Sequence, residues 1–319
     1  MAEAALIGLD WGSTSLRAWL YDATGAVLDE RRAELGVNRL PTGAGGVREF
    51  EPAFEQVCGP WLRTVPDVPA VPVIAAGMVG ADHGWLPTRY RPLPVHLDAG
   101  LDCPSLVTSA GLRVHVVPGV SDPGPEHAVM RGEETELLGL TLDDGDHEVV
   151  MPGTHAKWVR VRGRRIRNVQ TYITGELFDL LLHRSSLSAL AVADGATHWD
   201  AFARGLDQAR RSRGNVLGAL FTARTLPLAR QLGTEQVGDY LSGLLIGGEL
   251  CTRFHQAAGA ADGVLWIVGS PALADRYARA ARYLGRRDVV VVTDAARRGL
   301  WRAAQLAGLV PVALDPVGR

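Results

Sequence analysis

Two short turns in this sequence hold the residue types that handle phosphate. The first is Asp10-Trp11-Gly12-Ser13-Thr14-Ser15-Leu16-Arg17. A carboxylate at a strand end, where Asp10 would stand, can hold a hydrated Mg²⁺ ion. Gly12 lets the backbone turn tightly. The exposed N–H groups and the hydroxyls of Ser13 and Thr14 can then line a phosphate. The same string also fits an ordinary hairpin with polar turn residues. A second turn, Gly153-Thr154-His155, shifts the balance, because two such turns can grip a polyphosphate from both sides. His155 suits a phosphate contact and an ordinary turn about equally. Lys157 follows closely and is the only lysine in the chain. Where every other strong base is arginine, one retained lysine marks a place for a compact ammonium.

The elements around the two turns repeat. Residues 5–10 (ALIGLD) read as a buried strand, 16–21 (LRAWLY) as a second strand at period two, and 26–31 (AVLDER) as a third after a DATG hairpin. Residues 148–151, 157–162 and 166–171 repeat this layout. A slide of 141 positions puts Gly12 on Gly153 and Ser13 on Thr154. A repeat of about half the chain implies two similar domains. A helix is expected around Phe54, Val57 and Trp61, then a strand at 71–76 running into Gly77-Met78-Val79-Gly80. A strand at 114–117, helix from 129 to 140 and a turn or linker at 143–146 follow. The second half reads as a helix at 237–255 carrying Gly243, Gly247 and Gly248, and a strand at 264–268. Gly269-Ser270-Pro271 then opens a helix to 284, followed by a strand at 288–292 and a helix at 295–307. The expected division is domain I at 1–142 and domain II at 143–319. Each is α/β with a five-stranded sheet, and the last helix crosses back beneath the first domain.

Composition limits the alternatives. The formal charge is 33 − 35 = −2, with no electrostatic reason to bind nucleic acid or an anionic membrane. No apolar run reaches the roughly 20 residues of a membrane span, and the opening MAEAALIGLDWG lacks a signal-peptide pattern. The three cysteines, Cys58, Cys103 and Cys251, have neither disulfide nor zinc spacing and read as buried or partly buried thiols of a cytoplasmic protein. Neither a Walker P-loop nor a Rossmann GxGxxG is present.

D-x-G-x-T-x-x-R after an N-terminal strand resembles the first phosphate motif of the actin/hexokinase-like superfamily. Gly153-Thr154 resembles its second phosphate motif, and Gly269-Ser270-Pro271 sits where its adenosine motif lies. The strings LDWGSTSLRAWLYD, AAGMVGADHGW, VMRGEETELLGL, VMPGTHAKWV, ITGELFDLLL and LSGLLIGGEL are similar, in order and spacing, to the 2-dehydro-3-deoxygalactonokinase family over nearly the whole chain. The resemblance implies two ribonuclease H-like (actin-like) domains with an interdomain ATP cleft. It implies transfer of the γ-phosphate of ATP to the terminal (C6) hydroxyl of 2-dehydro-3-deoxy-D-galactonate, a step in galactonate breakdown. By the same resemblance Asp10 organises Mg²⁺, and Gly12, Ser13, Thr14, Gly153 and Thr154 line the phosphates with Arg17 and Lys157 as charge partners. Gly269 and Ser270 border adenine. Asn38, Arg39, Gly77, Met78, Val79, Gly80 and Trp85 form the sugar side. Asp82-His83 departs from the family's pattern and leaves the exact substrate open.

Related sugar kinases place a catalytic aspartate after a glycine-rich stretch ahead of the second turn. Gly132-Glu133-Glu134 occupies that place, which makes Glu133 the expected base. Glu134 is the alternative, and a plain helix-start role for both is the third reading. Arg162–Arg167 reads as a solvated hairpin tip, Trp11 and Trp158 as packing beneath their turns, and Glu249 as an exposed helix residue with ribose contact the rarer option. A kinase for another sugar or sugar acid on the same fold and a non-kinase actin-like ATPase or phosphatase remain competing functions. A sugar-sensing repressor is not expected, since only nine residues precede Asp10. The expected partner is a small-molecule sugar acid, with a homodimer left open.

Overall fold

The computed structural model describes residues 3–43, 48–63, 71–125, 127–192, 195–256 and 263–312. In chain order the elements are β1 (Ala4–Trp11), β2 (Leu16–Asp22), β3 (Val27–Ala33), α1 (Phe50–Leu62), β4 (Val73–Gly77), β5 (Arg91–Pro92), β6 (Val95–His96), β7 (Ser105–Val107), β8 (Arg113–Val116), β9 (Val120–Ser121), β10 (Val129–Met130) and α2 (Glu133–Leu138). Then come β11 (Asp146–Met151), β12 (Ala156–Arg162), β13 (Arg165–Tyr172), α3 (Thr174–Arg184), α4 (Trp199–Arg211), α5 (Val216–Ala219), α6 (Thr222–Leu228), α7 (Val237–Gln256), β14 (Leu265–Val268), α8 (Pro271–Tyr283), β15 (Val289–Val292) and α9 (Ala295–Leu306).

The chain forms two compact units. Unit 1 is Met1–Gly145, Arg162–Val169 and Asp294–Arg319; unit 2 is Asp146–Val161 and Gln170–Thr293. The linear division at 142/143 is thus replaced by an interleaved one. Its main cause is α9, whose Ala296, Leu300, Ala303 and Ala304 are buried with Leu6, Trp19, Tyr21 and Ile74 of the first sheet.

Unit 1 is built on a sheet of order β3-β2-β1-β4-β8-β7. The first three strands run antiparallel, while β1, β4 and β8 run parallel. Period-two burial on β1 serves both faces. Ile7, Leu9 and Trp11 join Phe50, Phe54 and Val57 of α1, and Leu6 joins the α9 side. β7 makes the sheet six-stranded where five strands were expected. It pairs antiparallel with β8 through Ser105–Val107, a segment with no strong alternation to mark it. The helix expected at 129–140 is shorter. Val129 and Met130 pair with β9, and Gly132, at φ +111°, separates that strand from α2. The expected hairpin tip at 162–167 is not simply solvated, because Arg164 binds the Asp98 carboxylate (Nη2 to Oδ1 2.9 Å) within this unit.

Unit 2 carries the order β13-β12-β11-β14-β15, its part of β13 being residues 170–172. Numbered within each half, this is the first five-strand order of unit 1, as the repeat and the ribonuclease H-like expectation require. Val150, Trp158, Leu265 and Ile267 are buried against Phe202 and Leu206 of α4, Ile246 of α7 and Tyr277 of α8. Helices α4 and α7 cross backbone to backbone: a Cβ on Gly205 would lie 2.2 Å from the Tyr240 carbonyl, and one on Gly243 2.0 Å from that of Phe202.

In unit 1, α2 and α9 meet as closely. A Cβ on Gly299 would lie 1.8 Å from the Thr135 carbonyl oxygen, and one on Gly139 2.1 Å from that of Ala295. Gly299→Ala should force the helices apart and destabilise unit 1 by about 1–3 kcal/mol, as overpacking does. Thermal unfolding followed by circular dichroism checks this. An unchanged melting curve would mean that the α2–α9 crossing yields without cost.

Candidate active site

In unit 1 the first turn is anchored by a cross-strand pair. Asp10 and Arg17 are direct partners in the β1–β2 register. Arg17 donates through Nε at 2.8 Å and also through Nη2 to Asp10 Oδ2. Arg17, expected as a phosphate partner, therefore first orients Asp10. The turn closes with Gly12 N–H on the Ser15 carbonyl at 3.0 Å, and Thr14 is exposed. Gly36 crosses directly over it: a Cβ there would lie 2.2 Å from the Thr14 backbone. That crossing lets the Val37 and Asn38 N–H groups donate to the Gly12 and Ser13 carbonyls, both at 2.9 Å.

The second turn in unit 2 repeats this construction. A Cβ on Gly175 would lie 2.2 Å from the Gly153 carbonyl oxygen, and the Glu176 N–H donates to the Thr154 carbonyl at 2.9 Å. Gly36 and Gly175 each stand three residues past the end of the third strand, Ala33 and Tyr172. The 141-residue slide that aligns the turns puts Gly36 on Leu177, two positions past Gly175, so the repeat alone does not pair them. The halves differ at one position: 141 residues beyond Asp10 stands Met151, so only unit 1 carries the strand-end carboxylate. His155 is exposed, with Nε2 2.5 Å from Glu176 Oε2. Lys157 is buried on β12, and its Nζ donates to Thr171 Oγ1 at 3.1 Å.

The expected sugar-side residues separate into two kinds. Asn38 and Arg39 are exposed beside the first turn, Arg39 pairing with Glu34. Gly77, at φ +94°, passes so close to Trp11 that a Cβ would lie 2.7 Å from its carbonyl oxygen and 3.6 Å from Asp10 Oδ1. Val79 is fully buried, so its side chain belongs to the core, whereas Met78 is only half-buried. Trp85 is half-buried and wedged among Trp11, Phe50 and Phe54, with ring centroids 5.8, 6.1 and 5.8 Å away. It holds the loop to the core. Gly80 is buried, its carbonyl accepting from the Thr88 N–H at 3.0 Å.

Gly132 packs on Gly77, a Cβ there lying 3.2 Å from the Gly77 Cα, and so delivers the start of α2 to the Asp10 end of β1. Glu133 is half-buried and accepts from the Arg131 N–H at 2.9 Å. Glu134 is 2 % exposed and turned inward, accepting from the Gly132 N–H at 2.7 Å and from Thr135 Oγ1 at 3.1 Å. Burial, then the Glu133 charge, pushes the Glu134 carboxyl up to about 7. Burial, then Asp10 and Glu133, pushes Glu136 up to about 8. Acidic groups thus crowd one end of unit 1, yet no three of them converge as a metal cage among the described residues.

Unit 2 holds a cavity of about 220 Å³ beside the second turn, lined by Gly153, Thr174, Phe178, Ser242, Leu273 and Tyr277 among others. Gly269 borders Pro152 just before the turn, and Ser270 precedes α8, which supplies Leu273 and Tyr277. Glu249, expected at the surface, is 3 % exposed. It accepts from Trp158 Nε1 at 2.7 Å, from Tyr277 Oη at 2.9 Å and from Thr174 Oγ1. A glutamate on a glycine-bearing helix gave no sequence sign of three donors arriving from three other elements. Both Trp11 and Trp158 are buried, the former donating to the Leu35 carbonyl at 2.7 Å.

The raised Glu134 pKa has a consequence for stability. The unfolded chain releases this proton near 4.5, whereas the folded chain keeps it to about 7. Between those values the folded state binds more protons, so its stability falls as pH rises. Glu134→Gln removes that loss. The variant should melt higher than wild type at pH 8, by on the order of 1–3 kcal/mol, and the gain should vanish at pH 5. An equal shift at both pH values would show that ionisation of Glu134 is not the cause.

The profile of the family described as 2-keto-3-deoxy-galactonokinase matches residues 10–303. The 2-dehydro-3-deoxygalactonokinase of Escherichia coli (strain K12) is 34% identical over 298 residues, covering 92% of this chain and 94% of that protein. A solved structure of a candidate 2-dehydro-3-deoxygalactonokinase from Sinorhizobium meliloti superposes with a TM-score of 0.80 at 32% identity, covering 96% of this chain and 100% of the other. With a profile match across nearly its whole length and a relative 34% identical over 92% of it, this chain belongs to the 2-keto-3-deoxygalactonokinase family.

Proposed function

We propose that this protein transfers the γ-phosphoryl group of ATP to the C6 hydroxyl of 2-dehydro-3-deoxy-D-galactonate in the cytoplasm. The observation that carries the reading is the pair of like-built glycine turns, of which only the first ends in a carboxylate held by arginine. The turns suit the phosphate chain: Gly12, Ser13 and Thr14 in unit 1, Gly153 and Thr154 in unit 2, with Lys157 adding positive charge. The unit 2 cavity suits the nucleoside, with Gly269 and Ser270 at its border. Asn38, Arg39 and the Gly77–Gly80 loop suit the sugar acid. Mg²⁺ fits Asp10, because this ion takes one or two protein carboxylates alongside substrate phosphates and keeps several waters. Bound there, it would neutralise charge developing on the phosphate oxygens.

Glu133 is the proposed base. It is half-buried at a helix start, and the raised Glu136 carboxyl nearby feels the charges of both Asp10 and Glu133, whereas Glu134 is sealed from a substrate hydroxyl. Glu133 would hold the C6 hydroxyl through its proton and accept that proton as the bond to phosphorus forms. Phosphoryl transfer is loose, so positioning and electrostatics supply much of the rate.

ADP release should be seen with 2-dehydro-3-deoxy-D-galactonate and be weaker with its gluconate-derived epimer. A coupled assay on both tests the substrate, and no ADP release from either would remove the reading. In the same assay Glu133→Gln should lower kcat by about 10²–10⁴-fold with little change in KM. Glu134→Gln should lose much less, and a reversed order would move the base by one residue. Asp10→Asn should remain folded by circular dichroism and nearly abolish turnover. Near-normal activity in that variant would overturn the role given to the first turn.

A further inference from the structure

Glu249 lies within α7, deeply buried, and phosphoryl transfer as described gives it no task. Its Oε1 accepts from Trp158 Nε1, and its Oε2 accepts from both the Tyr277 and the Thr174 hydroxyls. Burial raises its pKa, and the three donors and the nearby Arg253 charge work against that rise. Arg253 is itself held by Glu148 at 2.6 Å and by Gln170 at 2.5 Å.

An ionised carboxylate has no proton to give. Each hydroxyl has a single proton, and both protons are spent inside the cluster, on Glu249 or, for Thr174, on the neighbouring Tyr277 oxygen. Lone pairs are all these two oxygens have left for another partner. Both residues line the 220 Å³ cavity of unit 2, whose other walls include the apolar Phe178, Leu245, Ile246 and Leu273. Such a cavity favours a flat, largely apolar group that brings its own N–H or O–H to this edge. A ligand presenting a carbonyl or a bare carbon there leaves an acceptor unpaired or faces lone-pair repulsion.

We propose that Glu249 is a positioning residue for nucleotide specificity: it fixes Thr174 and Tyr277 as hydrogen-bond acceptors, so that the cavity selects a nucleoside donating an N–H or O–H. This rests on the reading that the unit 2 cavity takes the nucleoside of ATP. The donor is either the exocyclic amine of adenine or a ribose hydroxyl, and both offer the same chemistry.

The test compares ATP with ITP, which lacks the amine, and with 2′-deoxy-ATP and 3′-deoxy-ATP, each lacking one ribose hydroxyl. The readouts are kcat/KM in ADP-type product release and, separately, nucleotide binding by calorimetry without sugar acid. Wild type should disfavour at least one analogue by roughly 10–100-fold, and the analogue disfavoured identifies the donor. In Glu249→Gln the amide can donate to one hydroxyl, freeing its proton toward the cavity, so that ratio should shrink to within about threefold. Thr174→Val and Tyr277→Phe each remove an acceptor with little change in volume. One or both should lose the same discrimination, and they decide the matter if Glu249→Gln fails to fold. A packing role alone would lower stability and leave the ratios unmoved. The inference is overturned if wild type binds all four nucleotides alike, or if the folded variants keep the wild-type ratios. Absence of phosphoryl transfer with normal nucleotide discrimination would instead count against the proposed reaction and leave the role of Glu249 standing.

Discussion

A glycine laid over each of the two glycine turns is the constraint on which the rest depends. At Gly36 and Gly175 the main chain passes so near the turn that even one methyl group would collide with backbone atoms. The close pass gives the turn carbonyls partners from the helical turn that follows the crossing glycine or contains it, through the Asn38 N–H on Ser13 and the Glu176 N–H on Thr154. With those carbonyls satisfied, the turn N–H groups and hydroxyls need not fold inward. A phosphate-binding surface requires that arrangement, since an anion is held by donors and repelled by unpaired carbonyl oxygens.

A second use of glycine sets the acid chemistry of unit 1. Gly77 and Gly132 both have positive φ and touch backbone to backbone, which brings the start of α2 to the end of β1. Four acidic side chains then share one region: Asp10, Glu133, Glu134 and Glu136. They cannot all be ionised without cost. Arg17 answers Asp10 directly, whereas Glu134 and Glu136 respond by holding their protons to about 7 and about 8. The burden therefore falls on Glu134 and Glu136, whose carboxyls are both pushed up.

Unit 2 has the same scaffold with the charge removed. Met151 stands where Asp10 would be, and the buried carboxylate, Glu249, comes instead from a helix and orders a set of donors. One repeat thus gathers acidic side chains beside its turn, while the other shapes a cavity. The divergence lies in a few side chains on a common strand order.

The sequence alone determined the two meanders, their glycine turns, the repeat of that layout in the second half and the return of the last helix to the first sheet. These follow from local rules: period-two burial, glycine at tight turns, and a spacing that repeats. Asp10, Gly12 and Gly153 were legible for that reason, as was the family through its strings. Tertiary structure alone decided that Glu134 is buried and Glu133 only half-buried, that Val79 and Trp85 serve the core, and that Arg17 is spent on Asp10. It also decided that Glu249 is buried under three donors. The physical reason is common to these cases. A side chain's exposure and partners are set by elements distant in sequence, 91 residues away for Trp158 and Glu249. Periodicity along a strand or helix records that one face is buried and carries no record of what buries it.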